Sequence, residues 1–327
     1  MESINKLPNI YYYFLSSSFL IYSQEIPPST IYNGNPDFHH IPPIKNIIVL
    51  NLKFNDKTPH MKTIIFPTDF SDNAEHAFQY AIEIAQKAGA ELWVVNAYDI
   101  PYSHNIMTTS LLDMIRDGAE TGVKEVAELA NAKGLKVRAI AKMGNPIRVV
   151  KDLVKECEEC MVVMGTKGSS GVEQILIGSN AAALLQSIKV PVLAIPHGSS
   201  PGQLKKIVFG TDYGSDRDRV ALERLAKIAA LFDAEVMVLH VDNGKEKAIP
   251  GQREKFEAIL KNVPHSFHLV RNSDVEKAIE EFVNEHQADM VALLARNYSF
   301  IDSLFHTSVT SKVAYHTKVP YLALHEM

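Results

Sequence analysis

The chain has 327 residues, enough for about two domains. Its apolar share of 46% and charged share of 22% are those of an ordinary globular protein. A net charge of −5, a sequence pI of about 6.2 and the lack of any Lys/Arg-rich run give no footprint for nucleic acid or anionic membrane, so neither is expected as a partner. No apolar run reaches the roughly 18 residues of a membrane-spanning helix.

Residues 1–60 contain no Ala, Arg or Cys and are dense in Ile, Tyr, Asn, Lys and Phe. They show no lasting helical or strand period, and Pro27-Pro28 and Pro42-Pro43 interrupt them. Tyr11–Tyr22 is apolar, but Ser16-Ser17-Ser18 breaks it, Glu2 sits where a signal peptide needs positive charge, and no A-x-A-like cleavage site follows. A weak export signal, a disordered extension and a wrongly assigned start are the alternatives. The last is favoured, because these residue types have AT-rich codons and Met61 directly precedes the first convincing strand.

From Met61 the chain reads as two copies of one pattern. Lys62-Thr-Ile-Ile-Phe-Pro-Thr-Asp69 is echoed by Lys205-Lys-Ile-Val-Phe-Gly-Thr-Asp212. After each comes a helical stripe: Ala74, Ala77, Phe78, Ala81, Ala85 and Ala88 in copy one, and Val220, Leu222, Leu225, Ile228, Ala229 and Phe232 in copy two. Ser71 or Asp72 can cap the first of these helices. Glu91–Val95 and Glu235–Leu239 then read as second strands. Later elements are expected near 135–142, 147–157, 161–164 and 179–188 in copy one, and near 265–270, 275–286, 289–294 and 308–317 in copy two. The copies close on Val190-Pro-Val-Leu-Ala-Ile195 and Val319-Pro-Tyr-Leu-Ala-Leu324. Alternating strands and helices imply parallel sheets. The expected fold is α/β, two tandem doubly wound domains at 61–200 and 204–327, each a five-stranded parallel sheet flanked by helices. The short linker at Pro196–Leu204 favours domains that pack together through their last strands, which would otherwise be open edges.

Chemistry concentrates after the fourth strand of copy one. There the chain reads Gly165-Thr-Lys-Gly168-Ser-Ser-Gly-Val-Glu-Gln-Ile-Leu-Ile-Gly178-Ser179-Asn180. Gly165 lets backbone approach a ligand, and Gly168 and Gly171 permit a concave turn whose N–H groups form an anion nest. Gly178-Ser179 opens a helix, whose free N–H groups favour phosphate, and Lys167 adds a point charge.

The spacing Gly165-x2-Gly168-x9-Gly178-Ser179 resembles the signature of ATP-binding universal stress proteins. The likeness extends over 61–327 and includes Pro67-Thr-Asp-Phe-Ser71, Gly144-Asn-Pro146 and both Val-Pro strands. It implies a nucleotide α-hydrolase-like fold and ATP as ligand, with Mg²⁺ or Mn²⁺ the usual companion of a triphosphate. It also implies that Asp69 contacts the adenosine, that Pro67 and Thr68 line the site, and that Ala97 meets adenine through its backbone. Gly165, Lys167, Gly168, Gly178, Ser179 and Asn180 would hold ribose and phosphates. Two departures stand out: Glu159-Cys160 replaces the family's usual Ala-Asp, and Asn180-Ala181 follows the Gly-Ser where Val or Thr is common. Family members dimerise through the last strand, which implies pairing of the two domains and allows a homodimer.

Copy two lacks the loop. Aligning Val319-Pro320 on Val190-Pro191 sets Leu294, Asn297 and Thr307 where the glycines stand, with only Ser308 and Asp212 retained. A degenerate partner domain is expected.

The two cysteines, Cys157 and Cys160, form a C-x-x-C. A redox pair usually sits at a helix N-terminus, and a zinc site needs two more ligands. This motif ends a predicted helix with no His nearby, so two separate semi-buried thiols in a reducing cytoplasm are expected. The scattered histidines show no ligand spacing, and Met107, Met114, Met143, Met161 and Met164 are read as packing residues.

The expected function is a nucleotide-dependent regulator of the stress response, hydrolysing ATP slowly at most. Three alternatives are weaker. An adenylating enzyme on the related scaffold needs Ser-Gly-Gly-x-Asp-Ser where Pro67–Asp72 stands. A receiver phosphorylated on Asp69 needs an earlier acidic pair. An interaction module of the same fold would bind no nucleotide. Mass spectrometry of the native protein tests the reading of the leader: peptides from residues 1–60 would overturn a start at Met61.

Overall fold

The computed structural model describes residues 10–15, 18–23, 48–49, 61–99, 109–166, 178–199, 204–213, 217–244, 250–294 and 319–325. Residues 1–58 form a unit of their own. It contains β1 (Ile10–Leu15), β2 (Ser18–Ser23) and β3 (Ile48–Val49), antiparallel in the order β1-β2-β3. The sequence reading placed no strand here, because Ile-Tyr-Tyr-Tyr-Phe-Leu has no apolar–polar alternation. Its aromatic and β-branched content supplies the strand preference instead.

The second unit starts at Pro59 and holds both copies. Copy one runs β4 (Thr63–Pro67), α1 (Asp72–Ala88), β5 (Glu91–Tyr98), α2 (Thr109–Asn131), β6 (Val137–Met143), α3 (Pro146–Glu156), β7 (Cys160–Gly165), α4 (Ser179–Ser187) and β8 (Val192–Ile195). Copy two runs β9 (Lys206–Thr211), α5 (Arg217–Phe232), β10 (Glu235–Asp242), α6 (Gln252–Leu260), β11 (His265–Arg271), α7 (Val275–His286), β12 (Met290–Leu294) and β13 (Tyr321–Leu324). The helix expected near 308–317 lies outside the described residues.

All ten strands form one sheet, ordered β11-β10-β9-β12-β13-β8-β7-β4-β5-β6. Within each copy every described pair is parallel. The copies meet at one antiparallel seam, β8 on β13, with Leu193 opposite Leu322.

Period-two alternation along the strands builds two cores. Ile64 and Phe66 enter one apolar layer and Ile65 the other. Leu193, Ile195, Leu322 and Leu324 join the first layer, and Val192, Ala194, Tyr321 and Ala323 the second. Both layers therefore run unbroken across the seam. Helix α1 lies in the first layer through an Ala-rich stripe that allows close approach to the sheet. Ser71 caps it, its Oγ accepting from Ala74 N at 3.3 Å, and Gly89 ends it at φ 63°.

Three expectations are corrected. Met161 and Met164 are buried as expected, but Met114 is 69% and Met143 59% exposed. Met114 lies on a solvent-facing turn of α2, and Met143 ends β6, the strand at one edge of the sheet. Met107 lies outside the described residues. Cys157 and Cys160 are not separate thiols but are joined as a disulfide, their Cα atoms 6.1 Å apart. The bend from α3 into β7 brings the two side chains together, which the sequence spacing alone did not reveal.

The copies also touch through side chains. Lys87 of α1 lies 5.1 Å over the Phe232 ring of α5. Within copy two, Arg224 donates to the His325 carbonyl at 3.0 Å and holds that residue at the seam. The buried His325 ring faces the carbonyls of Val190, at 3.1 Å, and Leu185. A neutral imidazole carries one N–H and can donate to only one of these carbonyls. Burial pushes the His325 pKa below its ordinary value and the Arg224 cation adds to this, against the pull of the two carbonyls. Burial and the neighbouring His286 lower His268 as well.

The unfolded chain, with histidines near about 6.5, therefore takes up protons that the folded chain refuses. Stability falls as pH drops through that value and levels off below the folded pKa. Scanning calorimetry should show Tm decreasing between about pH 7.5 and 5.5, and His325→Asn should make the slope shallower. An identical slope in the variant would overturn the assignment to His325.

Candidate functional site

Strands β4 and β7 are neighbours, with Ile64 opposite Met161. The helix after β4, α1, packs in the first apolar layer, whereas α4, after β7, packs in the second through Ala181, Leu184 and Leu185. The connections thus leave these two parallel strands on opposite faces of the sheet, which opens a crevice beyond their carboxyl ends.

A cavity of about 210 Å³ occupies that crevice. Strand β4 contributes Pro67, followed by Thr68 and Asp69; β5 contributes Ala97; β7 contributes Gly165; and the start of α4 contributes Gly178, Ser179 and Asn180. These predicted residues come together although they are distant in sequence. Lys167 and Gly168 lie outside the described residues. Sequence reasoning missed the apolar wall made by Val95, Val150, Met164 and Leu184, and also Pro146 and Thr166. The Gly144-Asn-Pro146 motif was the available signal for α3, whose first turn faces the cavity.

Local hydrogen bonds fix the β4 end. Thr68 N donates to Val95 O at 2.8 Å, and the buried Asn96 donates its Nδ2 hydrogen to Thr68 O at 2.8 Å. Phe70 N donates to Thr68 Oγ1 at 3.0 Å, which accompanies a left-handed Phe70 with φ 61°. Ser71 N donates to Asp69 Oδ1 at 3.1 Å. Asp69 is thereby oriented at the mouth of the cavity, and it is the only acidic or basic side chain among the described lining residues.

Gly165 has a role that the sequence reading did not give it. A Cβ there would lie 3.0 Å from Asn73 O and 3.1 Å from Asn73 Cγ, so the missing side chain is what admits the first turn of α1. The next residue, Thr166, accepts at its carbonyl from Gly178 N at 2.6 Å, which ties the two ends of the glycine-rich segment together. Gly178 is the N-cap of α4, extended at φ −61°, ψ 154°, and gives no side-chain cap. First-turn amides have no acceptor within their own helix, and those of α4 open onto the cavity with no acidic residue in that turn. This arrangement attracts an anion. No cluster of three or more His, Cys, Asp or Glu suited to a metal exists among the described residues.

Copy two repeats the frame. Tyr213 N donates to Thr211 Oγ1 at 3.0 Å, Tyr213 has φ 53°, and His240 Nδ1 lies 2.9 Å from Thr211 O. Among the described residues, however, side chains enter that space. Gly210 stands where Pro67 does, and the Leu293 side chain occupies the position a Cβ would take. Leu294, buried, replaces Gly165. The Tyr213 ring packs 5.2 Å from Phe256, and burial pushes its hydroxyl pKa up to about 12. Thr211 Oγ1 donates to the buried Asp218 at 3.0 Å. Asn297, Thr307 and Ser308 lie outside the described residues.

Comparison with known proteins agrees with this doubling. The universal stress protein family matches residues 60–196 and again 203–325. A universal stress protein of Methanocaldococcus jannaschii is 27% identical over 138 residues, 41% of this chain and 81% of the relative. One of Staphylococcus saprophyticus is 30% identical over 160 residues, 47% of this chain and 95% of the relative. The crystal structure of a universal stress protein from Archaeoglobus fulgidus superposes with a TM-score of 0.67 at 21% identity, covering 82% of this chain and 97% of that one. With two family matches spanning most of its length, one per half of the continuous sheet, the chain belongs to the universal stress protein family as a tandem member.

Proposed function

We propose that the first copy binds an adenine nucleotide, ATP, and that the chain acts as a nucleotide-dependent regulator in the stress response. The functional unit is residues 61–200, with 204–327 as its degenerate partner. The observation that carries this is the uncapped N-terminus of α4 opening onto the cavity whose mouth holds Asp69. The enclosed volume of about 210 Å³ is below the roughly 300–1,000 Å³ of a complete small-molecule site. It suits the nucleoside part, set against the apolar wall of Val95, Val150 and Leu184, while the phosphates extend over Gly178 and Ser179. Asp69 accepts from ribose hydroxyls, and the backbone at Ala97 meets the base. Lys167 and Gly168 complete the phosphate contacts.

Mg²⁺ or Mn²⁺ would accompany the triphosphate on the phosphate oxygens. The described lining holds one carboxylate, no His and no Cys, and a general base paired with a nucleophile is missing from it. On this reading ATP serves as a bound signal, turned over slowly at most.

Two measurements test the proposal. Calorimetric titration with a non-hydrolysable ATP analogue should give one site per chain, because Leu293 and Leu294 fill the second crevice; two equivalent sites would overturn this. Gly178→Val should abolish binding and leave Tm unchanged. Its extended backbone accepts a β-branched residue without strain, while the added side chain stands where amides must meet phosphate. Losing two charge-assisted hydrogen bonds of about 1.5–3 kcal/mol each weakens binding by roughly two to four orders of magnitude. Gly168→Val should do the same and Asn297→Val nothing. A Gly178 variant that folds and keeps wild-type affinity would refute the phosphate site.

A further inference from the structure

We infer that Cys157 and Cys160 form a reversible dithiol–disulfide site that fastens the end of α3 to the start of β7 when oxidised and releases it when reduced. The two copies supply the comparison. In copy two Asp289 immediately precedes β12, and its Oδ2 accepts from Lys205 N at 2.9 Å and Lys206 N at 2.8 Å. That carboxylate fixes the helix-to-strand turn to the start of β9. Cys160 stands at the matching place before Met161, and a thiol cannot take over this acceptor role. There the Glu159 carbonyl accepts from Lys62 N at 2.9 Å and Thr63 N at 3.3 Å, and the exposed Lys62 ammonium donates to Glu158 Oε2 at 2.8 Å. Among the described residues no side-chain carboxylate bonds the two amides here; the turn in copy one is closed covalently by the Cys157–Cys160 bond. A side-chain carboxylate lock in one copy is thus matched by an oxidisable lock in the other.

The surroundings suit exchange rather than a permanent staple. Cys160 is buried at 6% exposure, while Cys157 is half-buried and open to a small reagent. Cys157 caps the C-terminus of α3, where the helix dipole disfavours a thiolate. Its sulfur lies 3.4 Å from Val154 O, the acceptor that the reduced S–H uses. The pair therefore reacts slowly at neutral pH and responds to a sustained oxidant. A low-molecular-weight disulfide, such as glutathione disulfide, is the co-reactant. Cys157 thiolate attacks one of its sulfurs and expels one glutathione thiolate. Cys160 thiolate then attacks the Cys157 sulfur of the mixed disulfide and expels the second. Two protein thiols are oxidised, one glutathione disulfide is reduced to two thiols, and the two thiol protons end on glutathione. Oxidised and reduced forms differ in how firmly α3 is held, and α3 also presents Pro146 and Val150 to the cavity.

The test is to equilibrate the full chain in glutathione buffers from fully reduced to fully oxidised, trap thiols with a maleimide of known mass, and follow backbone hydrogen exchange. Labelling should move from two adducts to none as the buffer becomes oxidising, and back again. Exchange in 146–156 should slow by about tenfold on oxidation, as expected for closing a very short loop. Exchange in α7, whose copy has no cysteine, should not respond. Cys157→Ser and Cys160→Ser should both hold 146–156 at the reduced rate in every buffer; should either fail to fold, the wild-type comparison decides alone. Two adducts in excess glutathione disulfide, no adducts in excess glutathione, or equal exchange of α3 in both states would each overturn the proposal.

Discussion

Between β4 and β7 the connecting helices leave the sheet on opposite faces, and the rest of the site depends on that divergence. The helices that follow the two strands flank the gap from opposite faces, reaching it through Ala74 of α1 and through Ser179, Asn180, Ala181 and Leu184 of α4. The rest of the lining comes from the strand ends and the residues just after them, from the crossover α3, and from Gly178 before α4. The short residues at these points follow from the same geometry. Gly165 admits the first turn of α1, and Ala74 and Ala181 keep helix starts clear of the cavity. The crevice belongs to the topology, and its polar content to a few residues placed on the rim.

The seam between β8 and β13 settles a second constraint. Each copy alone would end in a short, wholly apolar edge strand with unpaired backbone groups. Pairing the two edges antiparallel satisfies both and continues the two apolar layers through the middle of the sheet. The prolines that open these strands are compatible with this position, since a strand's first residue can lack a donor. Their carbonyls are still used: Pro191 O accepts from Val162 N at 2.9 Å, and Pro320 O from Val291 N at 3.0 Å. Helix α4 lies beside the seam, so His325 of copy two reaches the carbonyl of Leu185 in the last turn of the helix whose first turn opens onto the cavity.

Strands and site positions were legible in the sequence where local chemistry decides them. The runs Ile64–Phe66 and Met290–Leu294 are continuously apolar because both sheet faces are covered, and they read as buried strands without help from tertiary structure. Asp69, Gly165 and Gly178 could be placed by motif because turn geometry links them to fixed points on strands. Helices α2 and α6 were not placed, as their apolar stripes are interleaved with charge. The exposure of Met114 and Met143 could not be read, since it depends on which element covers which. Nor could the tie between Cys157 and Cys160, because C-x-x-C spacing does not specify the bend between helix and strand.

Comparing the copies separates what the shared frame needs from what keeps the first crevice open. The Thr-Asp-aromatic turn is kept in both, with the same hydroxyl-to-amide bond and a left-handed third residue. A side chain on the second strand reaches the Thr carbonyl in both, from Asn96 in one and His240 in the other. These contacts satisfy backbone groups at a strand end, an obligation that holds whether or not a ligand binds. The differences lie in volume: Pro67 against Gly210, and Gly165 against Leu294. Filling a crevice with a leucine gains roughly 1.5–3 kcal/mol of burial, so without a ligand to retain it an open crevice is less stable than a filled one. Copy two has taken the filled form, and copy one keeps the cavity open at that cost in its own stability.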